Sequence, residues 1–263
     1  MTILDKIVER KRQEVAEAKE KISFEELKSY PLFGRTCYNL KDSVLHPDRS
    51  GIIAEYKRAS PSKGLINGRH SVQEVVQGYQ NAGASAISVL TDKDFFQGDL
   101  ADLTAAREVL TIPLLRKEFI IDEYQIAEAK AYGADIILLI AACLTEEEIK
   151  TLSSYAKSLG LNVLLEIHNE EELGKSLFDT IDAIGVNNRN LKDFVVSLDH
   201  SYDLVEKIPN QYIKVSESGI SDPNTINDLK NAGFQAFLIG ESFMKTEDPM
   251  QAIQDFTDQI NKA

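Results

Sequence analysis

Eight short runs rich in Ile, Val and Leu recur along this chain, each followed by a stretch with helical periodicity, and few architectures accept that alternation. The runs fall at 51–57, 85–91, 112–117, 134–140, 161–167, 182–187, 212–217 and 236–240. Their near-continuous apolar character is what parallel strands covered on both faces require. Between them lie helix starts. Ser71 with Glu74, and Thr145 with Glu148, have the spacing of a capping box, in which two side chains satisfy free N–H groups at a helix start. Asp122 with Gln125 and Asn169 with Glu172 fit the same start, and Asp222-Pro223 places a cap before a proline in the first turn. Behind these caps, Val72, Val75, Val76 and Tyr79, and later Ile149, Leu152, Ala156 and Leu159, form apolar helix faces.

Eight strand–helix units in 263 residues predict an α/β chain, a closed (β/α)8 TIM barrel. An open doubly wound sheet is the competing layout, and it usually shows a glycine-rich turn directly after its first strand. Here residues 58–64, RASPSKG, follow the first run instead. The barrel is therefore assigned to 51–263, with residues 1–50 as an N-terminal helical extension packed on it. In the extension Leu4, Val8 and Val15 share a helix face, Ser23 and Glu26 open a second short helix, and Pro31 and Gly34 break it. This segment is expected to cover the bottom of the barrel, or simply to pack against it.

Composition narrows the function. Hydrophobic residues make up 43% and charged residues 27%, enough apolar content for a sizeable core. A net charge of −13 argues against a broad nucleic-acid surface, which needs clustered Lys and Arg, but leaves room for a small anion held by a few converging cations. No run approaches the ~20 apolar residues of a membrane span. The first 21 residues are charged throughout, unlike a secretory leader. The two cysteines, Cys37 and Cys143, stand far apart and in no metal-binding spacing. A reducing cytoplasm is the simplest setting for such a chain, and a monomer with no metal site is the expectation.

Barrel active sites lie at the C-terminal strand ends, and here those ends carry charges that apolar packing does not explain. The first run ends Glu55-Tyr56-Lys57, where the two-residue period puts Glu55 and Lys57 on the face of Ile53, with Tyr56 opposite. The third ends Arg116-Lys117-Glu118-Phe119, the fifth Glu166-Ile167-His168, the sixth Asn187-Asn188-Arg189 and the seventh Glu217-Ser218-Gly219. One such residue is ordinarily a solvated boundary. Five strands delivering polar groups to one mouth call for partners or a ligand. Ser218-Gly219 and Gly240-Glu241, after the last two strands, offer small residues whose backbone N–H groups can approach a phosphate, and barrels commonly bind phosphate there. His168, on the same side as Glu166, reads as a helix neighbour outside the catalytic set, and Cys143 as a small packed hydrophobe.

These segments resemble the indole-3-glycerol-phosphate synthase family. The match runs through 53–64 (IAEYKRASPSKG), Leu90-Thr91-Asp92, Phe95-Phe96-Gln97-Gly98, 115–120 (LRKEFI), 165–168 (LEIH), 185–191 (GVNNRNL), 216–220 (SESGI) and 238–242 (LIGES). Two departures stand out: Asp99 where a serine often follows the Phe-Phe-Gln-Gly stretch, and Glu118 where Asp is common. The resemblance implies an enzyme for ring closure, decarboxylation and dehydration of 1-(2-carboxyphenylamino)-1-deoxyribulose 5-phosphate, a phosphorylated small molecule, and it implies no cofactor. It implies Lys117 as the acid at ring closure and Glu166 as the base. Lys57 would hold the aryl carboxylate or serve as second acid, Glu55 would orient it, and Asn187 would bind hydroxyls. Ser60, Pro61, Ser62, Phe96, Phe119, Arg189, Glu217, Ser218, Gly219, Gly240 and Glu241 complete the expected substrate contacts, with the two phenylalanines as walls for the aryl ring. A phosphoribosylanthranilate isomerase would place a Cys at the end of the first strand, where Glu55 and Lys57 stand. A non-catalytic barrel would be expected to have lost Lys117, Glu166 or Lys57.

Overall fold

The computed structural model describes residues 3–60, 63–190 and 195–260. Eight parallel strands close into a barrel: β1 (Ile52–Tyr56), β2 (Ala86–Leu90), β3 (Leu114–Lys117), β4 (Ile136–Ile140), β5 (Asn162–Ile167), β6 (Ala183–Asn187), β7 (Ile213–Glu217) and β8 (Ala236–Ile239). Each pairs with its neighbour in sequence, and β8 closes on β1 through Ile53↔Leu238. All eight lie within the runs read from sequence. After β1 the chain forms a small hairpin, Ala59–Ser60 against Gly64–Leu65.

Strand alternation sorts the side chains into two cores. Ile53, Leu115, Leu138, Leu164, Val215 and Leu238 point inward and fill the lumen, while Ile52, Ala54, Tyr56, Ile137 and Val163 face the helical shell. The helix caps form largely as expected. Ser71–Glu74 and Thr145–Glu148 are complete capping boxes, and Asp222 caps a helix that starts at Pro223. Asp122 caps its helix too, but Gln125 does not complete a box: its amide oxygen accepts from the Ile121 N–H and its nitrogen donates to the Phe119 carbonyl. Asp99, the departure before the second shell helix, is likewise an N-cap, accepting from the Ala101 N–H.

The extension holds three helices: α1 (Ile3–Lys21), α2 (Phe24–Lys28) and α3 (Leu40–Val44). Only part of it lies at the bottom. Leu40 and Val44 of α3 plug the lumen from below, where the Leu40 N–H donates to Asn162 at the start of β5 and Ser43 donates to the Ser85 carbonyl before β2. Helix α1 runs instead beside the catalytic end, and Ile3, Leu4 and Ile7 line the mouth. Its buried stripe is Ile7, Lys11 and Val15, with Leu4 and Val8 only flanking it. A lysine in the middle of the stripe concealed it in the sequence.

Candidate active site

Register brings the polar strand ends to one level. Lys117 pairs with Leu90, Glu166 with Ile140 and Gly185, and Glu217 with Asn187 and Leu238. Lys117, Glu166, Asn187 and Glu217 therefore meet above the apolar lumen layers, along one cavity with Glu55, Lys57, Ser60, Phe96, Phe119, Arg189, Ser218 and Glu241. The Lys117 ammonium lies 3.1 Å from Glu166 Oε2 and 2.7 Å from Glu217 Oε2. Asn187 donates to Glu166 Oε1 at 2.9 Å, and its own oxygen accepts from the Ser218 hydroxyl and the Arg189 N–H. On the first strand Lys57 lies 3.1 Å from Glu55 Oε1. The Ser88 hydroxyl approaches the other Glu55 oxygen at 3.4 Å.

The two acids beside Lys117 are driven apart. Burial disfavours charge on both. At Glu166 the Lys117 ammonium, His168 and the Asn187 amide outweigh burial and hold the carboxyl below its usual range. At Glu217 burial dominates, Lys117 opposes it and Glu166 adds repulsion, so the carboxyl is pushed up to about 7. Burial also acts against the Lys117 charge, but Glu217, Glu166 and Glu55 overcome it and raise its pKa. A charged acid thus sits between one firmly ionised carboxylate and one that titrates near neutrality, the separation expected where acid and base roles are divided.

Three glycines make room for this arrangement. A Cβ on Gly240 would lie 2.8 Å from Glu55, and one on Gly219, at φ +80°, would lie 2.5 Å from Val196. The third, Gly185, had no role assigned from sequence. Its Cβ would stand 2.1 Å from Glu217 Oε1, so the carboxylate fits only because this residue of the neighbouring strand, paired with Val215, has no side chain. Ser218 also takes a left-handed φ of +68°, and with Gly219 it turns the backbone after β7 toward a shallow pocket that it shares with Lys57, Lys63, Arg189, Gly240 and Ser242. The Glu241 carboxylate in that pocket is 2.6 Å from Lys63 and 3.9 Å from Arg189.

Phe96 and Phe119 face each other with ring centroids 6.2 Å apart. The Ser60 hydroxyl is buried and has no partner among the described residues. Pro61 and Ser62 lie outside the described residues. His168, left out of the catalytic set, lies 3.6 Å from Glu166 with its other nitrogen 3.3 Å from Glu172. Burial pushes the Cys143 thiol up to about 12, in keeping with a packed role. Arg116 and Glu118 do not join Lys117 in the lumen: alternation turns them outward, where Arg116 pairs with Glu128 at 2.7 Å and Glu118 with Lys11 at 3.1 Å. Lys11 escaped the sequence reading, and its only signal was a cation at an apolar position of the helix.

Fold and site together define a (β/α)8-barrel enzyme acting on a small anionic molecule. Comparison with known proteins narrows the class. The family model for indole-3-glycerol phosphate synthase matches residues 4–256. The indole-3-glycerol phosphate synthase of Bacteroides thetaiotaomicron is 47% identical, covering 98% of both chains. That of Aliarcobacter butzleri is 44% identical over 98% of this chain and 100% of its own. Among solved structures, 3-hexulose-6-phosphate synthase from Salmonella typhimurium superposes with a TM-score of 0.60 over 81% of this chain and 99% of that one, at 13% identity, a likeness of fold alone. The chain belongs to the indole-3-glycerol phosphate synthase family.

Proposed function

We infer that this protein converts 1-(2-carboxyphenylamino)-1-deoxyribulose 5-phosphate into indole-3-glycerol phosphate, carbon dioxide and water, the ring-closing step of tryptophan biosynthesis. The observation that carries the reading is Lys117, a half-buried ammonium held charged between two carboxylates and open to the cavity, in a chain that the family matches almost throughout.

The substrate's phosphate rests on the turns after β7 and β8. The backbone N–H groups of Gly219, Gly240 and Glu241 and the Ser218 turn approach it, with Lys63 and Arg189 supplying charge. Phe96 and Phe119 enclose the aryl ring. Lys57 faces the aryl carboxylate, oriented by Glu55. Ser60 offers its hydroxyl, which has no partner among the described residues. With the substrate so held, the aryl carbon bearing the carboxylate attacks the ketone carbon while Lys117 protonates the ketone oxygen. Loss of carbon dioxide restores the aromatic ring. The nitrogen lone pair then expels the new hydroxyl as water, assisted by a protonated lysine. Glu166 removes the remaining proton from the adjacent carbon to complete the indole, with Asn187 holding it in line. Glu217 steadies Lys117 and, titrating near neutrality, sets how readily that ammonium gives up its proton.

The same proposal has the chain working as a cytoplasmic monomer, its extension and barrel forming one unit, without a resident cofactor. No helix among the described residues is long and apolar enough to cross a membrane. The direct test is to incubate the pure protein with the substrate and follow indole fluorescence, against a background free of Trp. Consumption of substrate without indole, or no reaction at all, would dismiss the assignment.

A further inference from the structure

Lys11 is among the most buried side chains of the protein, 2% exposed, although it belongs to a helix outside the barrel. Its ammonium lies 2.7 Å from Asp92, 3.1 Å from Glu118 and 2.6 Å from Glu14. Asp92 and Glu118 are themselves 1% and 5% exposed. Burial works against the Lys11 charge, but Glu118 and Asp92 outweigh it and keep the ammonium protonated.

Each of the two buried acids has a second task. Asp92 accepts from the N–H groups of Phe95 and Phe96 at 2.7 and 3.1 Å. Glu118 accepts from the Phe119 N–H at 2.9 Å with one oxygen and from the Thr91 hydroxyl at 2.9 Å with the other. One cation thus neutralises the two carboxylates that fix the turns presenting Phe96 and Phe119. The same lysine fastens α1, whose Ile3, Leu4 and Ile7 form a further wall of the cavity. We propose that Lys11 is the positioning residue of the aryl subsite, so that the N-terminal helix sets affinity for the aromatic half of the substrate and not for its phosphate half. This rests on Phe96 and Phe119 enclosing the aryl ring.

The physical reason is electrostatic. Without the ammonium, Asp92 would lose its cation and Glu118 would keep only Arg116, 3.8 Å away, and removing one partner of a buried pair is strongly unfavourable. One acid must then take a proton or turn to solvent, releasing the N–H groups that define its phenylalanine. Among the described residues the hydrogen bonds and ion pairs of this network do not reach the phosphate turns after β7 and β8, which serve as an internal control.

The experiment uses the full chain and two probes: the ketone-reduced, unreactive form of the substrate, measured by calorimetry, and inorganic phosphate, measured as an inhibitor. Lys11→Met should weaken the reduced substrate about tenfold, ~1.4 kcal/mol, while phosphate inhibition stays unchanged and KM rises more than kcat falls. Equal loss for both probes, or unchanged affinity for both, overturns the proposal. Should Lys11→Met fail to fold, the triple variant Lys11→Met, Asp92→Asn, Glu118→Gln decides, since it keeps the acceptors for the phenylalanine N–H groups without buried charge. It should bind the reduced substrate more weakly than wild type, because α1 is unfastened, and inorganic phosphate equally well; wild-type affinity for both overturns the proposal. Phe96→Ala and Phe119→Ala separate the two levels of argument. If neither weakens the reduced substrate, the aryl-wall reading fails. If they do and the Lys11 variants do not, only the role of Lys11 fails.

Discussion

Replacing Glu217 with Gln should make the protein more stable above neutral pH and at the same time a poorer enzyme. Glu217 is 1% exposed, and its carboxyl rises from 4.5 to about 7 because burial and Glu166 together outweigh Lys117. A raised carboxyl binds its proton more tightly in the folded chain than in the unfolded one. Its contribution to stability is therefore intact below about pH 4.5 and is lost as pH climbs through about 7. The displacement from 4.5 to about 7 corresponds to about 3 kcal/mol. Gln has the shape of the protonated acid, so Glu217→Gln should change little near about pH 5 and stabilise by up to about 3 kcal/mol above about pH 8. Urea unfolding followed by far-UV circular dichroism across this range would show the gain as a higher midpoint at constant slope. Turnover should fall, because Lys117 loses the negative charge of one of the two carboxylates that hold it. A variant less stable than wild type at high pH, or a difference that ignores pH, would refute the reasoning.

Other consequences are open to direct measurement. Glu166→Gln keeps shape and hydrogen bonding but accepts no proton, so kcat should drop by roughly 10²–10⁴; near-normal turnover would rule out the base role. Lys117→Ala should lower kcat and kcat/KM together with little change in substrate affinity. Lys57→Ala should chiefly raise KM, and single-turnover kinetics with separate titration would reveal a reversal of these roles. Gly219→Val meets both a left-handed φ and Val196 at 2.5 Å from its Cβ, so inhibition by inorganic phosphate should weaken, and an unchanged inhibition constant would remove the phosphate cradle. Glu241→Gln frees Lys63 and Arg189 from a competing carboxylate and should tighten that same inhibition; weaker inhibition would mean that Glu241 holds the cations in place rather than competing for them.

The strands were legible because each is a short Ile/Val/Leu run whose two faces are both buried, as at Ile136–Ile140, where all five residues are covered. The helix starts were legible because capping is local chemistry, decided by residues three apart, as at Ser71–Glu74. Where a cap also serves the tertiary structure, local reading went astray: Gln125 turns from the box to hold the Ile121 N–H and the Phe119 carbonyl, beside the aryl wall. Two-residue alternation put Glu55 and Lys57 inward with Ile53 and Tyr56 outward, as found. The same rule, carried one residue further at the end of β3, separates Lys117 from Arg116 and Glu118.

Local periodicity and capping thus specified the eight strand–helix units, and the strand ends supplied Glu55, Lys57, Lys117, Glu166, Asn187 and Glu217, which line the mouth. What only tertiary structure decided are the interactions between residues distant in sequence. The Lys117–Glu217 contact spans 100 positions, and closure of β8 on β1 brings Gly240 against Glu55. Which of two neighbouring carboxyls stays ionised depends on how burial and a shared ammonium balance at each, and that balance exists only once the barrel has closed. Lys11 shows the same limit from the other side. Alone in sequence it is a charge misplaced on an apolar stripe, and it becomes intelligible only when the fold sets Asp92 and Glu118 in front of it, because a buried cation is tolerated where its partners are and nowhere else.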